Sequence, residues 1–257
     1  MTFIEAISLG VVQGLTEFLP ISSSGHLALA QHYLGLREPQ LFFDVMVHVG
    51  TLMAILLAFR GDVLRMLSGR DWHLFGMICL GTVPTAAIGF TLRSFVEEAM
   101  VRVWIVSAML FMTGLVLIFY SLIARRVREK LDRITPLRSL VVGVAQGVAV
   151  IPGISRSGMT ISSALVLGLK PEEAARFSFL LSIPAILGAA LLEVKDIGSN
   201  EVQSAPTLAG MILSFISGFI AIKLLISTLR RGRYGLFGYY CIAIALLSLA
   251  LNLLFNL

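Results

Sequence analysis

Residues 13–26 read QGLTEFLPISSSGH and form a cluster of polar side chains inside an otherwise apolar sequence. The cluster holds an amide, a carboxylate, three consecutive hydroxyls and an imidazole. Groups that ionise cost several kcal/mol in hydrocarbon unless they are paired or wetted, so their presence in such a sequence indicates function. These residue types suit acid–base chemistry and the binding of an anion.

The spacing inside the cluster indicates how these groups are presented. Gln13 and Glu17 are four residues apart, which puts them on one face of a helix. Ser22, Ser23 and Ser24 follow a proline, and this pattern predicts the start of a new helix with free backbone N–H groups. Such a helix start is a ready binding site for an anion, phosphate in particular.

His26 lies three residues after Ser23. From the sequence, its imidazole can share a proton with the Ser23 hydroxyl or attack phosphorus itself. Both routes stay open at this stage.

Composition places the whole chain in a membrane. It has 257 residues, of which 57% are hydrophobic and 14% charged, far more apolar than a soluble domain. The net charge of +5 does not indicate nucleic-acid binding, because the basic residues lie in short loops without aromatic neighbours. Cys79 and Cys241 are interpreted as buried small hydrophobes. The N-terminus carries Glu5 and no basic stretch, so a removed signal peptide is not predicted.

The elements that carry the cluster are too short to cross a bilayer. A helix over residues 3–19 must stop at Pro20, and the next run, 24–36, spans only about 20 Å of a hydrocarbon core of about 30 Å. Residues 1–36 are therefore predicted to enter the bilayer and return to the same side. Three runs long enough to cross follow, at residues 41–59, 74–92 and 102–124.

The second half of the chain repeats the first. Shifted by 133 positions, residues 10–26 align with GVAQGVAVIPGISRSGM, and eight of seventeen positions are identical. We predict an all-α integral membrane protein forming one structural domain, with about six transmembrane helices and two re-entrant segments. Its first repeat is residues 1–130 and its second is residues 135–257, with a re-entrant pair at 138–169 and spans at about 174–193, 207–229 and 235–256.

Each half contains an odd number of crossings, so the second repeat must be inverted relative to the first. Loop charges give the orientation. Fourteen Lys and Arg residues fall on one side, in the loops around 60–70, 125–138, 170–176 and 230–233, against Arg37, Arg93, Arg102 and Lys195 on the other. By the positive-inside rule both termini are predicted on the outer side, with the two breaks meeting near the middle of the bilayer.

The two copies differ in the residues that could do chemistry. The positions of Glu17 and His26 hold Val150 and Met159 in the second copy, and the position of Ser23 holds Arg156. If the pseudo-twofold axis passes between the breaks, Ser23 and Arg156 should converge. An arginine there favours bidentate capture of phosphate or carboxylate.

Other polar and small residues have structural interpretations. Ser24, Ser157 and Ser162 are predicted to cap or brace helices rather than to bind a ligand. Gly10, Gly14, Gly143 and Gly147 are predicted to permit close helix packing. Asp44 and His48, four residues apart, either extend the site or bond only to each other.

The two motifs resemble signatures of a known family. QGLTEFLPISSSGH and PGISRSGMT, at residues 152–160, are similar to those of the bacitracin-resistance type undecaprenyl-diphosphate phosphatases, and the likeness covers essentially the whole chain. It implies a bacterial inner-membrane enzyme that converts undecaprenyl diphosphate to the monophosphate carrier used in cell-wall synthesis. It also implies catalytic residues Glu17, Ser23, His26 and Arg156, and substrate-binding residues Gln13, Ser22, Ser155, Ser157 and Thr160.

The resemblance further implies a divalent cation, Mg²⁺ or Ca²⁺, for which Glu17 is the candidate ligand, and it is compatible with a homodimer. Gln13 stands where many members have glutamate, and an amide cannot act as a charged metal ligand or as a base. These roles are therefore assigned to Glu17, which either holds the cation or orients His26. Attack by Ser23 with His26 as base, direct attack by His26, and attack by water remain open. The alternative function is an inverted-repeat lipid flippase or anion transporter.

Overall fold

The computed structural model describes residues 1–36, 40–124, 131–193 and 204–255. Arg37, the basic residues 125–130 and Lys195, which contribute to the predicted charge bias, lie outside the described residues. The described chain forms these helices: α1 (Phe3–Phe18), α2 (Ser23–Tyr33), α3 (Leu41–Ala58), α4 (Arg60–Leu67), α5 (Trp72–Met100), α6 (Val103–Ala124), α7 (Pro136–Val148), α8 (Arg156–Val166), α9 (Pro171–Glu193), α10 (Ser204–Arg230) and α11 (Leu236–Phe255).

Six of these helices are long and apolar enough to cross a membrane, judged by length and composition: α3, α5, α6, α9, α10 and α11. They coincide with the six spans predicted from the sequence. The all-α membrane fold is therefore confirmed, and the chain is a multi-pass membrane protein.

Helix α5 differs from its predicted span because it continues past residue 92 to Met100. The added turns are polar and are held by ion pairs one helical turn apart, Arg93 to Glu97 at 2.8 Å and Arg102 to Glu98 at 2.5 Å. Such pairs support a helix whose side chains are exposed and charged, and hydropathy gives no signal for it.

The first break lies between α1 and α2. Leu19 has φ −69° and ψ 146°, as expected for a residue before proline, where the α conformation is disfavoured. Helix α2 then begins at Ser23, and the hydroxyl of Ser22 accepts a hydrogen bond from the backbone N–H of Gly25 at 3.3 Å. This bond satisfies one of the free donors at the helix start.

The second break, between α7 and α8, ends in the same kind of helix cap. Helix α8 begins at Arg156, and the hydroxyl of Ser155 accepts from the backbone N–H of Gly158 at 3.0 Å. These cap residues correspond to those of the first break at the offset of 133 that relates the two sequence copies. The duplication therefore extends to the hydrogen bonds of the breaks.

Neither α2 nor α8 is long enough to cross a bilayer, since each has 11 residues, or about 17 Å. The second pair starts and ends at the same place. Leu131, before α7, donates its N–H to the Gly168 carbonyl at 2.8 Å and accepts from the Lys170 N–H at 3.0 Å, both beyond α8. This closure is the geometry that a re-entrant segment needs, and the position of both pairs in the bilayer stays a prediction.

Each broken pair packs against a helix of the other half, α1 on α10 and α7 on α5. Both contacts depend on glycine. A Cβ at Gly10 would lie 2.3 Å from the carbonyl oxygen of Gly210, and one at Gly143 would lie 2.1 Å from that of Gly81. The predicted packing role of these glycines therefore has a direct steric cause. The interlocked halves fix the position of one break relative to the other.

Candidate active site

Glu17 is the centre of the polar cluster. It lies in the last turn of α1, and its side chain is only 5% exposed. Its Oε1 accepts a hydrogen bond from Nη2 of Arg156, which also forms an ion pair with it. Its Oε2 accepts from the Ser23 hydroxyl at 2.5 Å and from Nε2 of Gln13 at 3.0 Å. The carboxylate thus joins both breaks.

Arg156 reaches Glu17 because it is the first residue of α8, directly after the second break. Its side chain is 16% exposed. The other terminal nitrogen, Nη1, is buried and has no hydrogen-bond partner among the described residues. Buried donors are rarely left unpaired, so this guanidinium retains a donor for an anionic ligand. Ser23 and Arg156, the predicted symmetry mates, each donate a hydrogen bond to a different oxygen of the Glu17 carboxylate.

Ser22 turns the chain so that Ser23 faces back to α1. Its φ of 67° is the only positive value of a non-glycine residue in the described ranges. A residue in this region costs on the order of 1–3 kcal/mol, and such residues concentrate at functional sites. The Ser22 hydroxyl itself caps α2 and lies 3.4 Å from the hydroxyl of Ser24. In this structure it therefore stabilises the turn.

His26 does not face Ser23 or Glu17. Its Nδ1 lies 2.9 Å from the Ser22 carbonyl oxygen, and its Nε2 lies 3.0 Å from the Tyr240 hydroxyl. The two rings are also nearly parallel, with centroids 5.6 Å apart. Both ring nitrogens are therefore engaged away from the carboxylate.

The histidine beside Glu17 is His48 of α3. Its Nε2 lies 3.9 Å from Glu17 Oε2, the oxygen that accepts from Ser23. Its Nδ1 lies 2.7 Å from the Asp44 carbonyl oxygen, while the Asp44 carboxylate accepts from Gln31 at 2.7 Å. The spacing of Asp44 and His48 is the signal that the sequence offered, and the structure places His48 at the site.

The remaining second-copy residues brace the break and do not contact Glu17. Besides the Ser155 cap, the Ser157 hydroxyl donates to the Leu19 carbonyl at 3.0 Å, which ties the second break to the first. The Thr160 hydroxyl donates to the Arg156 carbonyl at 2.8 Å and lies 2.5 Å from the Ser178 hydroxyl. In this structure the three residues position Arg156.

Two tyrosines join the site in ways that the sequence did not indicate. Tyr240 on α11 contacts His26, and Tyr234, in the turn before α11, donates to the Gly158 carbonyl at 2.9 Å. Burial raises the pKa of the Tyr234 phenol above its ordinary value, so the group remains a protonated donor. No local pattern marks them, because each is more than 70 residues away from its partner along the chain.

The residues around Glu17 fit a divalent cation, such as Mg²⁺, that keeps several of its coordinated water molecules when it binds to protein. Among the described residues no group of three or more His, Cys, Asp or Glu side chains could enclose a metal. Beside the Glu17 carboxylate, however, Oε1 of Gln13 is buried and without a partner in the described chain. One carboxylate and one amide oxygen suit Mg²⁺, which binds through few protein oxygens together with substrate phosphates.

The fold and the site together define a class: a multi-pass membrane protein with a buried carboxylate, guanidinium and hydroxyl facing one another. Comparison with known families gives the particular one. Residues 6–247 match the family model described as bacitracin resistance protein BacA. The chain belongs to this family.

Several relatives cover nearly the whole chain. The undecaprenyl-diphosphatase of Carboxydothermus hydrogenoformans is 44% identical over 245 residues, which cover 93% of this chain and 94% of that protein. The undecaprenyl-diphosphatase of Korarchaeum cryptofilum is 44% identical over 267 residues, covering 98% and 100%. That of Methanosphaera stadtmanae is 39% identical over 279 residues, covering 98% and 99%.

Proposed function

We propose that this chain is an undecaprenyl-diphosphatase, a membrane hydrolase that converts undecaprenyl diphosphate to undecaprenyl phosphate and inorganic phosphate. This activity recycles the lipid carrier for cell-wall synthesis and confers bacitracin resistance. The observation that carries the proposal is the convergence of Ser23 and Arg156 on Glu17 from opposite repeats. It supports the proposal because a hydroxyl, a carboxylate and a guanidinium meet at one point, in a chain whose relatives bear this name.

Arg156 is the primary phosphate ligand. In the free protein it is paired with Glu17, and its Nη1 has no partner among the described residues. A diphosphate offers several oxygens to a guanidinium, so binding draws Arg156 from Glu17 towards the terminal phosphate. Losing this pairing leaves the Glu17 carboxylate free to accept a proton.

Ser23 is the nucleophile. Its hydroxyl already donates to Glu17 Oε2, so the carboxylate can take the proton as Ser23 Oγ forms a bond to the terminal phosphorus. The anhydride P–O bond breaks and undecaprenyl phosphate leaves. Water then attacks the phosphoserine and gives one proton to His48. The bond between phosphorus and Ser23 Oγ breaks, and Oγ recovers the proton held by Glu17, which releases inorganic phosphate and restores the Ser23 hydroxyl.

His48 assists this proton transfer and His26 does not. His48 Nε2 faces the Glu17 oxygen that accepts the Ser23 proton, whereas both nitrogens of His26 contact Ser22 and Tyr240. A histidine at this place can carry the proton between the carboxylate and water. His26 instead positions the turn that presents Ser23.

A divalent cation, Mg²⁺ or Ca²⁺, would be held by Gln13 Oε1 and Glu17. When bound, it would supply positive charge against the diphosphate and so favour departure of the lipid phosphate. Arg156 supplies the same kind of stabilisation from the chain itself.

The protein acts in the bacterial plasma membrane with both termini on the outer face. The proposal rests on the positive-inside bias of the loops. A tag at either terminus should react with an impermeant reagent added to intact cells, and tags reached only after lysis would refute this orientation. A homodimer is proposed from the family resemblance, and cross-linking in native membranes tests it.

The function is tested by phosphate release from undecaprenyl diphosphate in detergent, by wild type and Arg156→Ala, each with and without a chelator. We expect release by wild type, loss in the variant and a drop with chelator. An inverted-repeat flippase or anion transporter is the competing function. Purified protein that moves the lipid across vesicles but releases no phosphate would establish that alternative instead. Trapped phosphoenzyme mapped at Ser23 supports the nucleophile assignment, and label at His26 contradicts it.

A further inference from the structure

A polar cavity lies away from the Glu17 site, at the end of the bundle where α4 and the start of α5 meet the start of α9. Its volume is about 530 Å³, and Arg70, Trp72, Arg133 and Arg176 are among the residues that line it. None of the residues that contact Glu17 contributes to its wall. The cavity is therefore a separate feature from the proposed active site.

The acidic residues of this cavity already have partners. Asp71 accepts the backbone N–H of Leu74 at 3.1 Å and so caps α5. Asp132 forms an ion pair with Lys170 at 2.6 Å, and Glu173 forms one with Arg176 at 2.9 Å. The carboxylates are thus engaged in holding the surrounding elements together.

The basic residues are only partly neutralised. Arg65 and Arg176 share the buried Asp62 carboxylate, yet Nε of Arg176 is buried with no acceptor in the described chain. Arg70 and Arg133 make no ion pair with any described residue. Two guanidinium groups are therefore available to a ligand, and planar guanidinium groups favour phosphate oxygens.

The edge of the cavity indicates that the ligand also has an apolar part. Trp72 is 68% exposed and packs edge-on against Phe75, with ring centroids 5.7 Å apart. It stands at the first residue of a membrane-spanning helix, the usual depth of tryptophan at a membrane–water interface. A phosphate held by Arg70 and Arg133 would thus sit at the level of lipid head groups.

We propose that this cavity is a second phosphate site, which binds the head group of an anionic lipid from the membrane face bearing most of the loop arginines. The binding chemistry is shared by lipid phosphates and free inorganic phosphate, and the lipid is favoured by the exposed Trp72 beside the arginines. The site is independent of catalysis, so Arg70 and Arg133 serve binding and not the reaction at Ser23.

The test measures binding of phosphatidic acid to the full-length protein in neutral detergent, by native mass spectrometry and by the shift in melting temperature. The variant is Arg70→Gln with Arg133→Gln. The matched control is Arg231→Gln with Arg233→Gln, which removes two exposed arginines from the turn between α10 and α11 without touching the cavity. Inorganic phosphate is the second probe.

We expect wild type and control to retain phosphatidic acid. The cavity variant should bind it at least about tenfold more weakly, and a tenfold change in Kd corresponds to about 1.4 kcal/mol. Hydrolysis of undecaprenyl diphosphate should be unchanged in the cavity variant. Equal weakening in the control would overturn the proposal, because binding would then follow the charge of the whole face. Binding of inorganic phosphate with no retained lipid would overturn the assignment to a lipid.

Discussion

At the first break Ser22 caps α2, and at the second break Ser155 caps α8, through the same hydroxyl-to-glycine hydrogen bond. The residue after each cap differs: Ser23 donates to Glu17 at the first break, whereas Arg156 pairs with Glu17 at the second. The two copies therefore share the capping hydrogen bond and differ in the residue that reaches Glu17. The site needs both copies because neither break holds a hydroxyl, a carboxylate and a guanidinium by itself.

The partners of the two equivalent glutamines show the same division. Gln13 donates to the Glu17 carboxylate at 3.0 Å. Gln146, its repeat equivalent, donates to the Thr85 hydroxyl at 3.3 Å and the Leu181 carbonyl at 3.2 Å. One amide orients an ionised group and the other braces helices. The comparison predicts that equivalent substitutions have unequal effects on catalysis, whereas equivalent substitutions at the glycine helix contacts have similar effects on folding.

The largest effect should come from the ion pair that joins the breaks. Glu17→Gln should lower kcat by about 10³-fold or more, because it removes the base and leaves the Arg156 charge without its partner. It should also destabilise the protein by about 3–5 kcal/mol, since breaking a buried pair leaves a lone charge. Phosphate release and thermal unfolding in detergent measure the two effects.

Two variants separate these contributions. Glu17→Gln combined with Arg156→Gln should recover stability and remain inactive. Glu97→Gln, which removes an exposed carboxylate from α5, should leave activity unchanged and lower stability by no more than about 0.5 kcal/mol. Full activity in Glu17→Gln would show that the acid–base role does not belong to the first break.

Ser23→Ala should reduce phosphate release by about 10³-fold with little loss of stability, because it deletes the attacking oxygen. Ser24→Ala is the matched control at the adjacent position, where the hydroxyl contacts only that of Ser22 among the described residues, at 3.4 Å. Its activity should stay close to that of wild type. Equal losses in the two variants would indicate that the serines act only through the turn.

The two histidines give the next comparison. His48→Gln should lower kcat by about 10²-fold, as expected on loss of a proton-transfer group. His26→Gln should lower it by less than about tenfold, because its ring contacts Ser22 and Tyr240 outside the carboxylate's reach. Steady-state assays of both variants show which of the two histidines takes part in proton transfer. The reverse order would mean that His26 enters the site when substrate binds.

Substitutions at the helix contacts should lower stability by similar amounts in the two halves, unlike substitutions at the catalytic positions. Gly10→Ala and Gly143→Ala each place a methyl group against a facing carbonyl oxygen, so each should lower the unfolding free energy by about 1–3 kcal/mol. Gly188→Ala is the control, since a Cβ there meets nothing within 4 Å. Thermal unfolding measures all three, and an effect confined to one half would break the structural equivalence.

The smallest predicted effect is a difference in stability between substitutions at the two helix caps, Ser22 and Ser155. Ser22→Gly should raise the unfolding free energy by up to about 1 kcal/mol, because glycine adopts the positive φ without strain. Ser155 has φ −79°, so Ser155→Gly relieves nothing and should cost a few tenths of a kcal/mol. Calorimetry of the two variants side by side gives the comparison, and a loss of stability in both would mean that the turn at Ser22 is unstrained.

The sequence by itself determined the helical membrane fold, the six spans and the repeat, because hydropathy and proline position act locally along the chain. It also indicated Glu17 and Arg156, since ionisable groups are rare in apolar segments, and Ser23, since a run of hydroxyls after a proline marks a helix start. It did not determine the length of α5, whose last turns are polar and held by ion pairs.

Only the tertiary structure decided which groups meet. His26 is nearest to Ser23 in sequence, yet the positive φ of Ser22 and the contact with Tyr240 turn its ring away. His48 reaches Glu17 because α3 packs beside α1. Residues 13–26 supply only part of the site, because Arg156 comes from 139 residues away and its place depends on how the two halves interlock.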